Sequence, residues 1–206
     1  MTARSTNTNL RSGTVLGMAA LISLILLSSV NHVTKEPIEK ANRLWLLDNL
    51  SAVLPEGPFD QNPVLSRRQY IVDELGANEP IDLYLATKNT KHVAIAMEVI
   101  APDGYSGKIK ILLGVHKNGG IIAARVIDHK ETPGLGDDIE FRKSTWITQF
   151  NGLSLDTSPP AQWNTKRENG HFDALTGATV TSRAVIQAIY RALAWFNDNR
   201  DELFEQ

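Results

Sequence analysis

Lys108-Ile109-Lys110-Ile111-Leu112-Leu113-Gly114-Val115-His116-Lys117-Asn118-Gly119-Gly120-Ile121-Ile122-Ala123-Ala124-Arg125-Val126-Ile127-Asp128 is the stretch that decides the fold. Residues 108–115 and 121–128 are two β-prone runs, and the Asn118-Gly119-Gly120 between them favours the positive φ that a hairpin turn needs. Upstream, residues 81–86 and 92–100 repeat the arrangement across a polar Lys88-Asn89-Thr90-Lys91 turn. No helix-period segment separates these strands, so they predict an antiparallel meander and not a doubly wound parallel sheet. Downstream, residues 182–197 carry Val185, Ala188, Ile189, Ala192, Leu193 and Phe196 on one face, the pattern of an amphipathic helix lying on the sheet. Residues 146–150 read as a short helix, and residues 151–170 as a polar connection broken by Pro159-Pro160. The fold class is α+β, with an antiparallel sheet packed by helices.

The other end of the chain has a different character. Between residues 12 and 34 there is no Asp, Glu, Lys or Arg. Residues 13–34 therefore read as a transmembrane helix, since a hydrocarbon core of about 30 Å takes roughly 20 helical residues. Arg4 and Arg11 precede the span, while Lys35 and Lys40 are mixed with Glu36 and Glu39 after it. The positive-inside bias then puts residues 1–12 in the cytoplasm and the rest of the chain across the membrane, which in a bacterium is the periplasmic side of the inner membrane. A cleaved signal peptide shares the basic start and the apolar stretch. This run is long for that purpose, and Ser28 and Val30 offer only a weak cleavage site. Both readings export the domain. A buried core helix does not fit a span that is apolar on every face.

Residues 35–80 form a juxtamembrane segment. A helix is expected over residues 34–54, with Pro37 near its first turn and apolar Ile38, Ala41, Leu44, Leu47 and Leu50, followed by a loop over residues 55–68. The domain proper takes residues 81–206. At 206 residues the chain suits one domain plus an appendage. Its lack of cysteine excludes disulfides, thiol nucleophiles and Cys-ligated zinc or iron–sulfur centres. Redox chemistry would need an organic cofactor or an imidazole-bound metal. The five histidines (His32, His92, His116, His129 and His171) have no metal-ligand spacing, and Asp137, Asp138 and Glu140 read as a solvated acidic loop, so no metal site is assigned. A net charge of −2 gives no basis for nucleic-acid binding. Neither a G-x-G-x-x-G after a strand nor a G-x-S-x-G elbow occurs, and no catalytic residue is assigned.

One segment invites chemistry. Asp173-Ala174-Leu175-Thr176-Gly177-Ala178-Thr179-Val180-Thr181-Ser182 stands before the final helix. Its small residues allow close approach, and the free N–H groups of a helix start suit a phosphate. An N-cap explains one hydroxyl equally well. Glu131-Thr132-Pro133-Gly134-Leu135-Gly136-Asp137 is a tight loop able to expose backbone N–H groups, or a plain turn. Gly104-Tyr105-Ser106-Gly107 is a corner that offers one aromatic side chain.

Asp173-x-x-Thr176-Gly177-Ala178-Thr179 also matches the acceptor pattern that flavin transferases recognise. With the two upstream motifs, the chain resembles the G subunits of Rnf/Rsx electron transport complexes and, more distantly, the C subunits of sodium-pumping NADH:quinone reductases. The resemblance covers essentially the whole chain and is weakest over residues 36–80. It implies FMN joined through its phosphate to Thr179, in a phosphoester made from FAD by a flavin transferase. It implies further that Thr176, Gly177, Ala178, Thr181 and Ser182 surround the phosphate. Thr132, Gly134, Leu135 and Gly136 would form the facing loop, and Tyr105 would touch the flavin. Thr181 and Ser182 are rival acceptors, and Asp173 would serve transferase recognition. The implied role is an electron-carrying subunit working with other membrane subunits, in a complex coupling electron transfer to ion translocation, and not a stand-alone enzyme. A membrane-anchored binding or assembly module without redox turnover is the alternative.

Overall fold

The computed structural model describes residues 3–57, 59–60, 62–76 and 80–205, with side chains from residue 15 onward except that of residue 74. The side chains of Arg4 and Arg11 lie outside the described residues, as does Pro58. The chain divides into two compact units, Met1–Trp45 and Leu46–Gln206.

The first unit belongs to α1, a single helix running Ala3–Val53. Among the described residues this is the one helix long and apolar enough to cross a membrane. Val15, Leu16, Leu21, Ile22, Leu24 and Leu27 are all more than half exposed, so the apolar surface is not spent on a protein core. Three of its hydroxyl side chains are satisfied locally: Ser23, Ser29 and Thr34 donate to the carbonyls of Ala19, Ile25 and Val30 at 2.9, 2.7 and 2.8 Å. A medium without hydrogen-bonding solvent demands such pairing. The expected boundary near residue 34 is absent, because Pro37 lies inside the helix. A proline fits helical φ and removes only one ladder bond, so helical sequence on both sides carries the helix through it.

The second unit is built on the meander. Strands β1 (Arg68–Tyr70), β2 (Ile81–Lys88), β3 (Lys91–Ala101), β4 (Ile109–His116) and β5 (Ile121–Asp128) lie in the order β1-β2-β3-β4-β5. Every neighbouring pair is antiparallel. The β2–β3 connection is a two-residue turn with Asn89 at φ 51° and Thr90 at φ 60°. Two positive φ values match the twist of paired strands. The Asp60 carboxylate holds the turn by accepting the N–H groups of Asn89 and Thr90 at 3.1 and 2.7 Å.

Period-two alternation gives the sheet two unlike faces. On the front, Leu83, Ile95, Met97, Val99, Ile111 and Leu113 are buried with Val185, Ile189, Leu193 and Phe196 of α2 (Thr179–Glu205). On the back, Tyr84, Ala86, Ala94, Ala96, Leu112 and Ala123 are buried with Leu50, Val53 and Leu54 from the end of α1. Small back-face residues let that end come close. A Cβ at Gly114 would collide with the Val53 carbonyl.

Two elements differ from expectation. A short edge strand, β1, sits where a loop was expected, pairing Arg68, Gln69 and Tyr70 with Leu83, Asp82 and Ile81. Helix α2 starts at Thr179, ahead of the amphipathic pattern, and runs on to Glu205. Against α2 lies an aromatic cluster in which the Phe172 ring is 4.8 Å from Phe150 and 5.0 Å from Trp163, whose ring is 6.0 Å from Tyr190 of the helix.

Gly114→Val places a branched side chain against the Val53 backbone, which has no room to yield. Its expected cost is about 3 kcal/mol or more, read as a lowered thermal midpoint of the full chain in detergent. An unchanged midpoint would show that the end of α1 does not press on the sheet.

Candidate cofactor site

A pocket of about 450 Å³ opens where the three motifs meet, lined by Tyr105, Glu131, Thr132, Leu135, Gly136, Arg167 and residues 177–181. Its size lies within the range of small-molecule and cofactor sites. Gly134, Thr176 and Ser182 of the expected set do not line it.

One wall is the start of α2. Leu175, Thr176, Gly177 and Ala178 form a turn closed by the Ala178 N–H on the Leu175 carbonyl at 3.1 Å, with Gly177 at φ 79°. A positive φ at the third position is what glycine supplies there. The Ser182 N–H donates to the Ala178 carbonyl at 3.0 Å, so Ala178 occupies the N-cap position. A methyl group cannot cap, and the N–H groups of residues 179–181 precede the first intrahelical bond. The N-cap reading of this hydroxyl run therefore does not describe the structure, because Thr179, Thr181 and Ser182 lie inside the helix and Thr176 lies on the turn before it.

Those hydroxyls are not equivalent. Thr181 is 1% exposed and donates to Glu131 Oε2 at 2.6 Å. Ser182 is fully buried, donates to the Ala178 carbonyl at 3.0 Å and accepts the Leu175 N–H at 2.9 Å. Thr176 is exposed on the turn. Thr179 is half-buried in the pocket wall, and its hydroxyl has no hydrogen bond among the described residues.

The facing wall is the loop over residues 131–137, whose N–H groups turn inward. The Thr132 carbonyl collects the N–H groups of Leu135, Gly136 and Asp137 at 3.2, 3.1 and 3.4 Å. Three of the loop's N–H groups are thus taken internally, because Gly134 at φ 76° lets the backbone curl onto its own carbonyl. What faces outward is the Leu135 side chain, 47% exposed and close above Gly177.

Glu131 joins the walls, a role that its motif does not announce. It is 4% exposed, accepts the Ser106 N–H at 3.0 Å through Oε1, and accepts the Thr181 hydroxyl through Oε2. Gly104 and Gly136 lie so close that a Cβ at either would meet its carboxylate within about 3 Å. The Glu131 N–H donates to His129 Nδ1 at 3.0 Å, so Nε2 carries the ring proton and donates to Glu140 Oε1 at 3.0 Å. Lys143 Nζ bridges Asp137 Oδ2 at 2.8 Å and Glu140 Oε1 at 2.6 Å. Its ammonium holds both carboxyls below their ordinary values, with His129 assisting at Glu140, and the two carboxylates raise Lys143 in return.

The acceptor motif is gripped from outside as well. The Asp173 carbonyl accepts Trp146 Nε1–H at 2.6 Å, its N–H donates to Gln149 Oε1 at 2.9 Å, and its exposed carboxylate pairs with Lys166 at 2.8 Å. Arg167 is the other lining residue without a prior signal, since a lone arginine in a polar connection carries no pattern.

Glu131→Ala leaves the Ser106 N–H without its partner and the Thr181 hydroxyl buried and unpaired, at an expected cost of about 3 kcal/mol. A double-mutant cycle with Thr181→Val should show a coupling clearly different from zero, and additive effects would deny the link. The Lys143 pairs carry a pH signature. Depressed carboxyl values mean their stabilisation is present above the ordinary carboxylate range near pH 4 and is lost as pH falls through the lowered folded values. Lys143→Met should flatten the acid limb of the thermal midpoint against pH, whereas an unaltered limb would mean that the pairs contribute nothing.

Residues 104–194 match the FMN-binding domain family. Among curated proteins, the chain is 40% identical to the G subunit of the ion-translocating oxidoreductase complex of Shewanella piezotolerans, over 94% of this chain and 92% of that one. The corresponding G subunit of Pseudomonas aeruginosa is 39% identical over 98% and 95%, and that of Vibrio cholerae 36% identical over 95% and 94%. Among solved structures, the crystal structure of Shewanella oneidensis NqrC is similar at a TM-score of 0.48 and 19% identity, covering 75% of this chain and 73% of that one. With identity at this level along nearly the whole length, and an FMN-binding domain spanning all three motifs, the chain belongs to the family of G subunits of ion-translocating oxidoreductase complexes.

Proposed function

We propose that this chain carries FMN tethered through its phosphate to Thr179, and relays electrons inside a membrane complex that couples electron transfer to ion translocation. One observation carries the site. Of the four hydroxyls over residues 176–182, that of Thr179 alone both lines the pocket and has no internal bond among the described residues. The rivals Thr181 and Ser182 are buried and engaged.

The pocket suits the cofactor in its parts. Unpaired N–H groups and the positive end of α2 favour a phosphate beside Thr179. Exposed Leu135, Tyr105 and Val180 offer apolar surface at the mouth for a flat aromatic ring. Glu131 fixes the spacing of the walls. Bound FMN supplies the electron-accepting and electron-donating chemistry, while the protein sets its position and exposure. Attachment by a flavin transferase would form the Thr179 Oγ–phosphorus bond and break the pyrophosphate of FAD, with loss of the hydroxyl proton and departure of AMP. The exposure of Asp173 supports a role in recognition by that enzyme.

The apolar span of α1 supports a retained single-pass anchor in a bacterial inner membrane, with the N-terminus cytoplasmic and the flavin domain periplasmic. A dissociable cofactor lost on that side could not be replaced from the cytoplasm, which gives the tether a physical rationale. The relatives are all named as G subunits of ion-translocating oxidoreductase complexes, which supports other membrane subunits as partners.

Intact mass of the full chain, made in a host with an active flavin transferase, should show an increment equal to FMN minus water on the peptide holding Thr179. Thr179→Ala should lose it. A fluorescent flavin band that survives denaturing electrophoresis of Thr179→Ala would overturn the assignment.

A further inference from the structure

Arg167 is the only Lys or Arg lining the pocket among the described residues. It sits in a 3-10 turn, Lys166–Glu168, and both its neighbours are committed elsewhere. Lys166 Nζ pairs with Asp173 at 2.8 Å. Glu168 pairs with Arg183 of α2 and accepts the Thr165 hydroxyl proton at 3.1 Å. Arg167 itself has no ion pair or hydrogen bond among the described residues.

The turn that carries it is stiff. Thr165 is fully buried and its carbonyl accepts the N–H groups of Glu168 and Gly170 at 2.8 and 3.0 Å. The Lys166 N–H donates to the Phe172 carbonyl at 2.8 Å, and Asn169 closes the turn at φ 62°. Gly170 presses on the Asn164 backbone, where any Cβ would collide. The carboxylates of Asp173 and Glu168 hold other cations, and the oxygens of Glu131 are bonded to Ser106 and Thr181, so none of the three is paired with Arg167. An unpaired guanidinium on a fixed turn, lining a pocket one wall of which is a helix N-terminus, has the chemistry to take an anion in two directed bonds.

We propose that Arg167 binds the phosphate of the flavin, and that this contact holds the FMN moiety delivered from FAD at Thr179. The proposal rests on the FMN reading above and deepens it. It makes recognition of FMN over riboflavin, which lacks only the phosphate, a property of the turn and not of the acceptor threonine.

The test uses the full chain in detergent, prepared without a flavin transferase, with FMN and riboflavin as probes. Arg167→Met should weaken FMN about tenfold to a hundredfold, the range of a charge-assisted hydrogen bond, and leave riboflavin unchanged. Arg167→Lys should keep part of the preference for FMN. Equal losses for both flavins, or no loss, would overturn the proposal. If the unloaded chain holds neither flavin, phosphorus-31 resonance of the FMN-loaded chain decides. Arg167→Met should displace the phosphodiester signal and reduce its salt dependence, and an unmoved signal rejects the contact. The mass measurement on the Thr179 peptide judges the parent reading separately, so a chain bearing FMN whose Arg167 variants behave as wild type defeats this proposal alone.

Discussion

The Glu131 carboxylate accepts hydrogen bonds from the Ser106 N–H and the Thr181 hydroxyl, and it is nearly sealed from water. A carboxylate in such a place is tolerable only while its oxygens stay bonded. Ser106 belongs to the corner after β3, Glu131 to the loop after β5, and Thr181 to the first turn of α2, so one desolvated charge holds three distant segments together. The glycines follow from the same constraint. Gly104 and Gly136 stand where any side chain would strike the carboxylate. Two of the motif glycines thus make room for a protein group.

The start of α2 shows the opposite policy. Capping with Ser, Thr, Asp or Asn would have stabilised the helix by about 1 kcal/mol. The chain places Ala178 there and leaves three backbone donors without a partner in the helix, in a wall of the pocket. Interiors rarely leave donors idle, and where a local rule is broken at a pocket the unmet groups mark where a ligand belongs. Around this opening everything else is fixed: the Thr132 carbonyl gathers its own loop, Trp146 and Gln149 hold Asp173, and Thr165 holds the turn of Arg167.

The meander was legible because two signals coincided, alternating apolar residues and turn dipeptides with the right conformational tolerance. Strand β1 was not, since three residues with no alternation and no turn signal are defined only by the partner they meet. Pro37 suggested a boundary that the helix ignores, because a helical register can survive one missing donor. At the site, the residue types over 173–182 and 131–137 were readable, but the directions were not. Only the acceptor pattern, which ends at Thr179, separates its hydroxyl from that of Thr181 in the sequence; burial and the position of Glu131, 50 residues away in sequence, add the physical distinction. Arg167 was silent for a related reason, since its role comes from neighbours that pair elsewhere.

The order of elements along the chain has a temporal consequence. Each strand pairs with the next, so the sheet can form from contacts close in sequence as soon as β5 is available. The pocket cannot. Its second wall is the first turn of the last helix, and the bond that locks it spans residues 131 and 181. A chain interrupted anywhere between β5 and residue 179 would hold the complete sheet and no pocket at all. Completion of the site therefore reports completion of the polypeptide, and any cofactor that needs both walls is excluded from unfinished chains.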